Sequence, residues 1–231
     1  MLKTTGLTLH YGGSQILHGI DFEARAGEVT CLMGTNGVGK TSFLKALAGT
    51  HPRSGGRLEV DGQEVGRVPP QAMARRGLAV VPQGRMIFPL LTVTENLQTG
   101  FALLPRSDHH IPPEIYDLFP VLKDMAHRRG GDLSGGQQQQ LAIARAMIMR
   151  PKVLLLDEPT EGIQPNIIQQ IGRVIRYLRG RGDMAIVLVE QYFDFAYGLA
   201  DRFYVLKRGQ VALAGRKAEL SQVVLRQTVS V

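Results

Sequence analysis

Three short stretches carry residue types at spacings that could act on a polyphosphate. Gly34-Thr35-Asn36-Gly37-Val38-Gly39-Lys40-Thr41 fits G-x-x-x-x-G-K-[ST], between the apolar run Val29 to Met33 and a helical run from Lys40. Glycines let successive backbone N–H groups turn inward on phosphate oxygens, at a helix start whose dipole favours anions. Lys40 would reach the β- and γ-phosphates and Thr41 would offer its hydroxyl to Mg²⁺. A coincidental Gly-rich turn is the bland alternative, and the strand before and helix after the loop argue against it.

The second stretch, Val153 to Leu156 followed by Asp157-Glu158, is an apolar strand ending in two carboxylates. They emerge at the C-terminal edge of a sheet, where α/β proteins place ligands. Asp157 suits a Mg²⁺ shell and Glu158 suits polarising an attacking water. A strand ending in Asp-Glu is commonplace alone, and gains meaning from following the phosphate-loop pattern. The third stretch, Leu133-Ser134-Gly135-Gly136-Gln137, precedes the helical run Gln138 to Met149. Ser134 and the glycines make a donor-rich helix start, a second surface of the same anion-binding type. By itself it also reads as an ordinary helix cap.

The elements that must hold these residues are legible from the pattern. Leu7–Tyr11, Ile20–Ala24, Glu28–Met33 and Arg57–Val60 read as short strands between glycine turns. A helix is expected over Lys40–Leu47 and a buried strand over Leu78–Val81. Pro89 to Arg150 is mostly helical, broken at Pro105, Pro112, Pro113 and Pro120. Strands over Val153–Leu156, Ala185–Val189 and Arg202–Leu206 alternate with helices over Pro165–Leu178 and Phe193–Leu199. Uniformly apolar strands separated by helices imply a parallel sheet covered on both faces. With no linker-like stretch and no internal repeat, one α/β domain with a helical insert is the expected parse.

Composition narrows the class. The 231 residues are 44% hydrophobic and 20% charged, a globular balance. No run approaches the roughly 20 apolar residues that span a bilayer. Met1 to His10 lacks the pattern of a secretory signal, and the lone Cys31 cannot form an internal disulfide, so a cytosolic chain is expected. The net charge of +7 would suit nucleic acid, an anionic surface or an anionic ligand. The basic residues are scattered, with almost no aromatics among them, which argues against nucleic acid.

The three stretches, in their order along the chain (34–41, 133–137, 153–158), resemble the ATP-binding subunits of ABC transporters, and the resemblance covers essentially the whole chain. It implies a P-loop NTPase fold with a mostly parallel sheet, an N-terminal antiparallel β sub-domain and a helical sub-domain inserted in the middle. The RecA-like core and β sub-domain would take about 1–88 and 151–231, and the helical sub-domain about 89–150. It implies ATP and Mg²⁺ as ligands. Tyr11 would stack on adenine, or alternatively pack on the core as a strand-end aromatic. Asn36, Gly37, Gly39, Lys40, Thr41 and Ser42 would hold phosphate, Glu158, Lys40 and Gln191 would serve catalysis, and Thr41, Gln83 and Asp157 the metal. Gln83, a bare Pro-Gln-Gly turn by itself, matches the family's glutamine loop, which signals to a transmembrane partner. Two such chains would pair head to tail, each offering Ser134, Gly136 and Gln137 to its neighbour's nucleotide, on the cytoplasmic face of the plasma membrane beside permease chains.

Two positions depart from the family pattern. Gln191 stands where a His usually contacts the γ-phosphate, so no imidazolium is available. Gln164 stands where an Asp usually faces the other subunit. Both hint at an asymmetric pair with a related chain. Asp157 to Pro165 and Gly84 to Pro89 look like the second ATP-binding subunit of branched-chain amino-acid-type importers, and Phe119 to Gln140 is similar to the urea-uptake members. Urea import is the expected function, with branched-chain amino acids as the alternative. A soluble relative acting on DNA or ribosomes, and a module that closes on ATP without turnover, are the competing classes.

Overall fold

The computed structural model describes residues 1–230. It opens with β1 (Leu2–Tyr11) and β2 (Ser14–Ala24), joined at Gly12-Gly13 and paired antiparallel. The expected strands over Leu7–Tyr11 and Ile20–Ala24 are the ends of these longer ones. Register shifts between Thr4 and Leu7 and between Leu9 and His10 break the alternation that would have revealed the rest. Next come β3 (Val29–Met33), α1 (Lys40–Ala48), β4 (Gly55–Val60), β5 (Gln63–Glu64), α2 (Pro70–Arg75) and β6 (Leu78–Val81). Between β6 and the next strand the chain is helical: α3 (Val93–Gln98), α4 (Pro113–Leu118), α5 (Pro120–Asp124) and α6 (Gly135–Ile148), with short 3-10 turns. Then follow β7 (Val153–Asp157), α7 (Pro165–Arg181), β8 (Ala185–Glu190), α8 (Phe193–Leu199), β9 (Arg202–Lys207), β10 (Gln210–Arg216) and α9 (Gln222–Ser230).

Two sheets result. One, antiparallel, runs β2-β1-β4-β5; the other runs β10-β9-β3-β8-β7-β6 and is parallel except for the β9–β10 hairpin. The α/β P-loop fold with its antiparallel sheet and helical insert is therefore present. β10 and α9 were not anticipated. Every residue of β10 is exposed or half-buried at the sheet edge, so its short apolar stretch Val211 to Ala214 belongs to an edge strand and not to a buried one.

The parallel strands are buried on both faces, and their side chains alternate between two cores. Val29, Cys31 and Met33 of β3, with Leu154 and Leu156 of β7 and Ile186 and Leu188 of β8, face the layer built from α6, α7 and α8. Val153, Leu155, Val187 and Val189 face the layer of α1 and the antiparallel sheet. Each such Val, Leu, Ile or Met side chain, fully buried, contributes about 1.5–3 kcal/mol relative to exposure. That packing fixes the C-terminal ends of β3, β6, β7 and β8 along one edge, and the residues at those ends form the site.

A candidate nucleotide site at the sheet edge

Residues 34–39 link β3 to α1. Gly34 leaves no room for a side chain, since a Cβ there would lie 2.5 Å from the Leu206 carbonyl oxygen. Gly39 caps α1 in a left-handed conformation (φ 107°) and offers no side chain to the helix's first N–H groups. α1 also has no acidic residue in its first turn, so its mouth stays open to an anion. Lys40 is buried; its Nζ donates to the carbonyls of Gly34 (2.9 Å) and Thr35 (3.0 Å) and lies 3.5 Å from Glu158 Oε1.

The carboxylates come from β7. Asp157 is 4% exposed, and its Oδ1 has no hydrogen-bond partner. Burial first, and the neighbouring Glu158 charge second, push its carboxyl up to about 6, against the pull of the Thr41 hydroxyl and Lys40. A buried acceptor left open beside a threonine hydroxyl is a donor set suited to a hard divalent cation. Among the described residues no cluster of three or more His, Cys, Asp or Glu could hold a metal ion.

Glu158 has positive φ (47°), an uncommon state for a non-glycine residue, and its N–H donates to the Val189 carbonyl at 2.9 Å. Its side chain accepts from Gln191 Nε2 at 2.6 Å and from Gln83 Nε2 at 3.4 Å. Gln191 Nε2 also reaches Asn36 Oδ1 at 2.7 Å, closing a ring of contacts between the phosphate loop and the ends of β7 and β8. A cavity of about 330 Å³ opens here, lined by Tyr11, Asn36, Gly37, Gly39, Lys40, Thr41, Ser42, Gln83 and Glu158 together with Ile16. Tyr11 is exposed at the end of β1 and its ring lies 4.3 Å from that of His51, so it flanks the cavity and does not pack in the core. A larger cleft of about 500 Å³, around Gly77 and Lys152 at the N-terminal ends of β6 and β7, contains none of the residues singled out from sequence.

A sequence profile described as ABC transporter matches residues 17–161, well over half of the chain. The chain belongs to the ABC transporter family. It is an ATP-binding subunit of that family, an ATPase whose activity is coupled to transport. Over 221 residues, 95% of this chain and 94% of the relative, it is 41% identical to the high-affinity branched-chain amino acid transport ATP-binding protein BraG of Pseudomonas aeruginosa. Its fold matches an ATP-binding cassette of an ABC transporter solved in its ADP conformation, with TM-score 0.87 and 24% identity, covering 100% of this chain and 96% of that one. It also matches a dimeric ATP-binding cassette in a post-hydrolysis state with ADP and Pi, with TM-score 0.82 and 23% identity, covering 94% and 99%. The two structural likenesses bear on the fold.

Not all the residues expected from sequence meet in the ABC ATPase's cavity. Ser134, Gly136 and Gln137 do not line it; they begin α6. There Ser134 Oγ accepts from Gln137 N–H (3.4 Å) and Gln137 Oε1 accepts from Ser134 N–H (2.9 Å), a reciprocal helix cap. Ser134 is exposed, so this helix mouth faces outward. Gln164 is exposed too, at the start of α7.

Sequence reasoning passed over two residues of this ABC ATPase. Glu190 is buried and accepts from Thr160 Oγ1 (2.7 Å) and from the N–H groups of Thr160, Gln191 and Tyr192, lacing the loop after Glu158 to the end of β8. Its place after an apolar run was the signal, and it reads equally well as a strand end. Glu161 accepts from Gln83 Nε2 at 3.0 Å, a contact that no local pattern announces.

Proposed function

We propose that this ATPase powers solute import, holding Mg-ATP in the cavity beside α1 and hydrolysing it when a second cassette closes over it. The observation that carries the reading is the convergence of Lys40, Glu158, Gln191 and Asn36, with Asp157 and Thr41 behind them, at the open mouth of α1. The triphosphate would take the N–H groups of residues 36–41, and Lys40 would exchange its two carbonyl partners for phosphate oxygens. Thr41, Asp157 and Gln83 would hold Mg²⁺, which when bound neutralises charge on the β- and γ-phosphates. Glu158 would orient a water molecule and accept its proton as the water oxygen bonds to the γ-phosphorus and the bond to ADP breaks. Gln191, donating without carrying charge, would keep the Glu158 carboxylate aimed.

Ser134, Gly136 and Gln137 would cap the nucleotide held by a neighbouring cassette, a role favoured by the exposure of Ser134 and by the absence of all three from the lining of this chain's own cavity. Tyr11 would offer its ring to adenine. The partner cassette would be a copy or, given Gln191 and Gln164, a related chain bearing the usual His and Asp. No described helix is long and apolar enough to cross a membrane, so pore-forming chains would be separate and this subunit would sit against them on the cytoplasmic face. The likeness to BraG, named for branched-chain amino acids, supports that solute class. Urea is the second reading, carried by the resemblance of Phe119 to Gln140 to urea-uptake members, and the comparisons lend it no support. Uptake of labelled leucine and labelled urea by cells with and without this chain tests both. Loss of leucine uptake alone is expected, and loss of urea uptake alone would reverse the order.

A further inference from the structure

We infer that Arg85 is a positioning residue that bridges the mouth of α6 and the loop carrying Glu158, and so sets where the two nucleotide-facing surfaces of one chain stand relative to each other. The inference rests on the ATPase reading above. Arg85 follows Gln83-Gly84 but does not line the cavity. Its guanidinium lies between two elements distant in sequence. Nη1 is 3.5 Å from Gln138 Oε1 on α6, and Nη2 is 3.4 Å from the Glu161 carbonyl. Both contacts are at the long end of the hydrogen-bond range.

Each end of this bridge leads to a surface already described. Gln138 Nε2 donates to the carbonyls of Gly130 and Leu133, both at 3.2 Å, which holds the turn leading into Ser134. Glu161 accepts from the Gln83 amide, which also approaches Glu158. The guanidinium also packs against the first residue of α6, since a Cβ at Gly135 would lie 3.0 Å from Arg85 Nη1. The backbone that carries the guanidinium is in an uncommon state. Arg85 and Met86 have φ of 71° and 45°, pinned by Arg85 N–H to Pro82 O, by Met86 N–H to Gly84 O, and by Arg145 Nη2 to Met86 O at 2.9 Å. A planar fork can serve two acceptors on two elements at once; a lysine ammonium on a flexible stem would keep the charge and lose the span.

Steady-state Mg-ATP turnover by the full chain, with its partners where they are needed for activity, tests this for Arg85→Ala, Arg85→Lys, Gln138→Ala and the Arg85→Ala/Gln138→Ala double variant. The ATP-induced rise in melting temperature is measured alongside as the readout of binding. Arg85→Ala is expected to lower kcat at least about tenfold, because small misplacements of reacting groups are costly. KM and the ATP-induced rise should stay within about twofold of wild type, Arg85→Lys should not restore kcat, and the double variant should be no worse than Arg85→Ala alone. Wild-type kcat in Arg85→Ala, full rescue by Lys, a loss of ATP binding that parallels the loss of kcat, or strictly multiplicative effects in the double variant would each overturn it. An inactive wild type would instead overturn the ATPase reading, and this inference with it.

Discussion

Glu158 is placed by neighbours of three kinds: the Lys40 ammonium at 3.5 Å, the amide donors of Gln191 and Gln83, and a backbone turned to positive φ. That arrangement holds a carboxylate at the mouth of the phosphate loop. Glu158→Gln keeps the shape and removes the base, so ATP binding should persist while phosphate release slows at least about 10²-fold. Unchanged turnover in that variant would take Glu158 out of its role. Asp157 makes a different statement. Its carboxyl is raised by burial to about 6, so the folded chain holds this proton more tightly than the unfolded chain does. Without metal or nucleotide, this group's contribution therefore falls as pH rises from the ordinary carboxylate range through about 6. Asp157→Asn should flatten that slope and raise the melting temperature near neutral pH. Parallel melting curves for the two proteins across pH 4 to 8 would contradict it.

At the scale of elements, Glu190 shows what keeps the carboxylate loop in place. It accepts four hydrogen bonds in the interior, and those donors oppose the burial that raises its pKa. Glu190→Ala leaves the Thr160 hydroxyl and three N–H groups unmet, a cost of about 2–4 kcal/mol. The melting temperature should drop on the order of 10 °C. A drop within experimental error would show that water replaces the carboxylate freely. The strands and the phosphate loop were readable because each follows a local rule: Val29 to Met33 is apolar throughout, and Gly34 to Thr41 has fixed spacing. The starts of β1 and β2 were not, because register shifts broke the period. Nor were β10, an edge strand with no buried residue, or α9. Glu190, Glu161 and Arg85 escaped for a related reason. Each has a partner far away in sequence, Thr160 for Glu190, Gln83 for Glu161 and Gln138 for Arg85, and no spacing along the chain encodes a contact such as that between Arg85 and Gln138, 53 residues apart.

As a whole, the molecule offers two helix mouths that do not meet within one chain: that of α1, which opens on the cavity, and that of α6, which faces outward. Nucleotide held at the first and capped by the second from another molecule gives a reason for both. A Glu158→Gln chain, binding without hydrolysing, should therefore sediment as a pair in Mg-ATP, with itself or with its related partner, and as single chains without nucleotide. Single chains in both conditions would remove the capping role of Ser134 and Gly136.

Whether the loop of residues 34–41 grips the triphosphate is tested most directly by the melting temperature of wild type and Lys40→Ala with and without Mg-ATP. At about a hundredfold excess over Kd, binding adds about 2.7 kcal/mol to the native state, a rise of several degrees. Wild type should show that rise and Lys40→Ala, folded and compared with its own nucleotide-free value, should lose most of it. An equal rise in both proteins would mean that the nucleotide binds somewhere else.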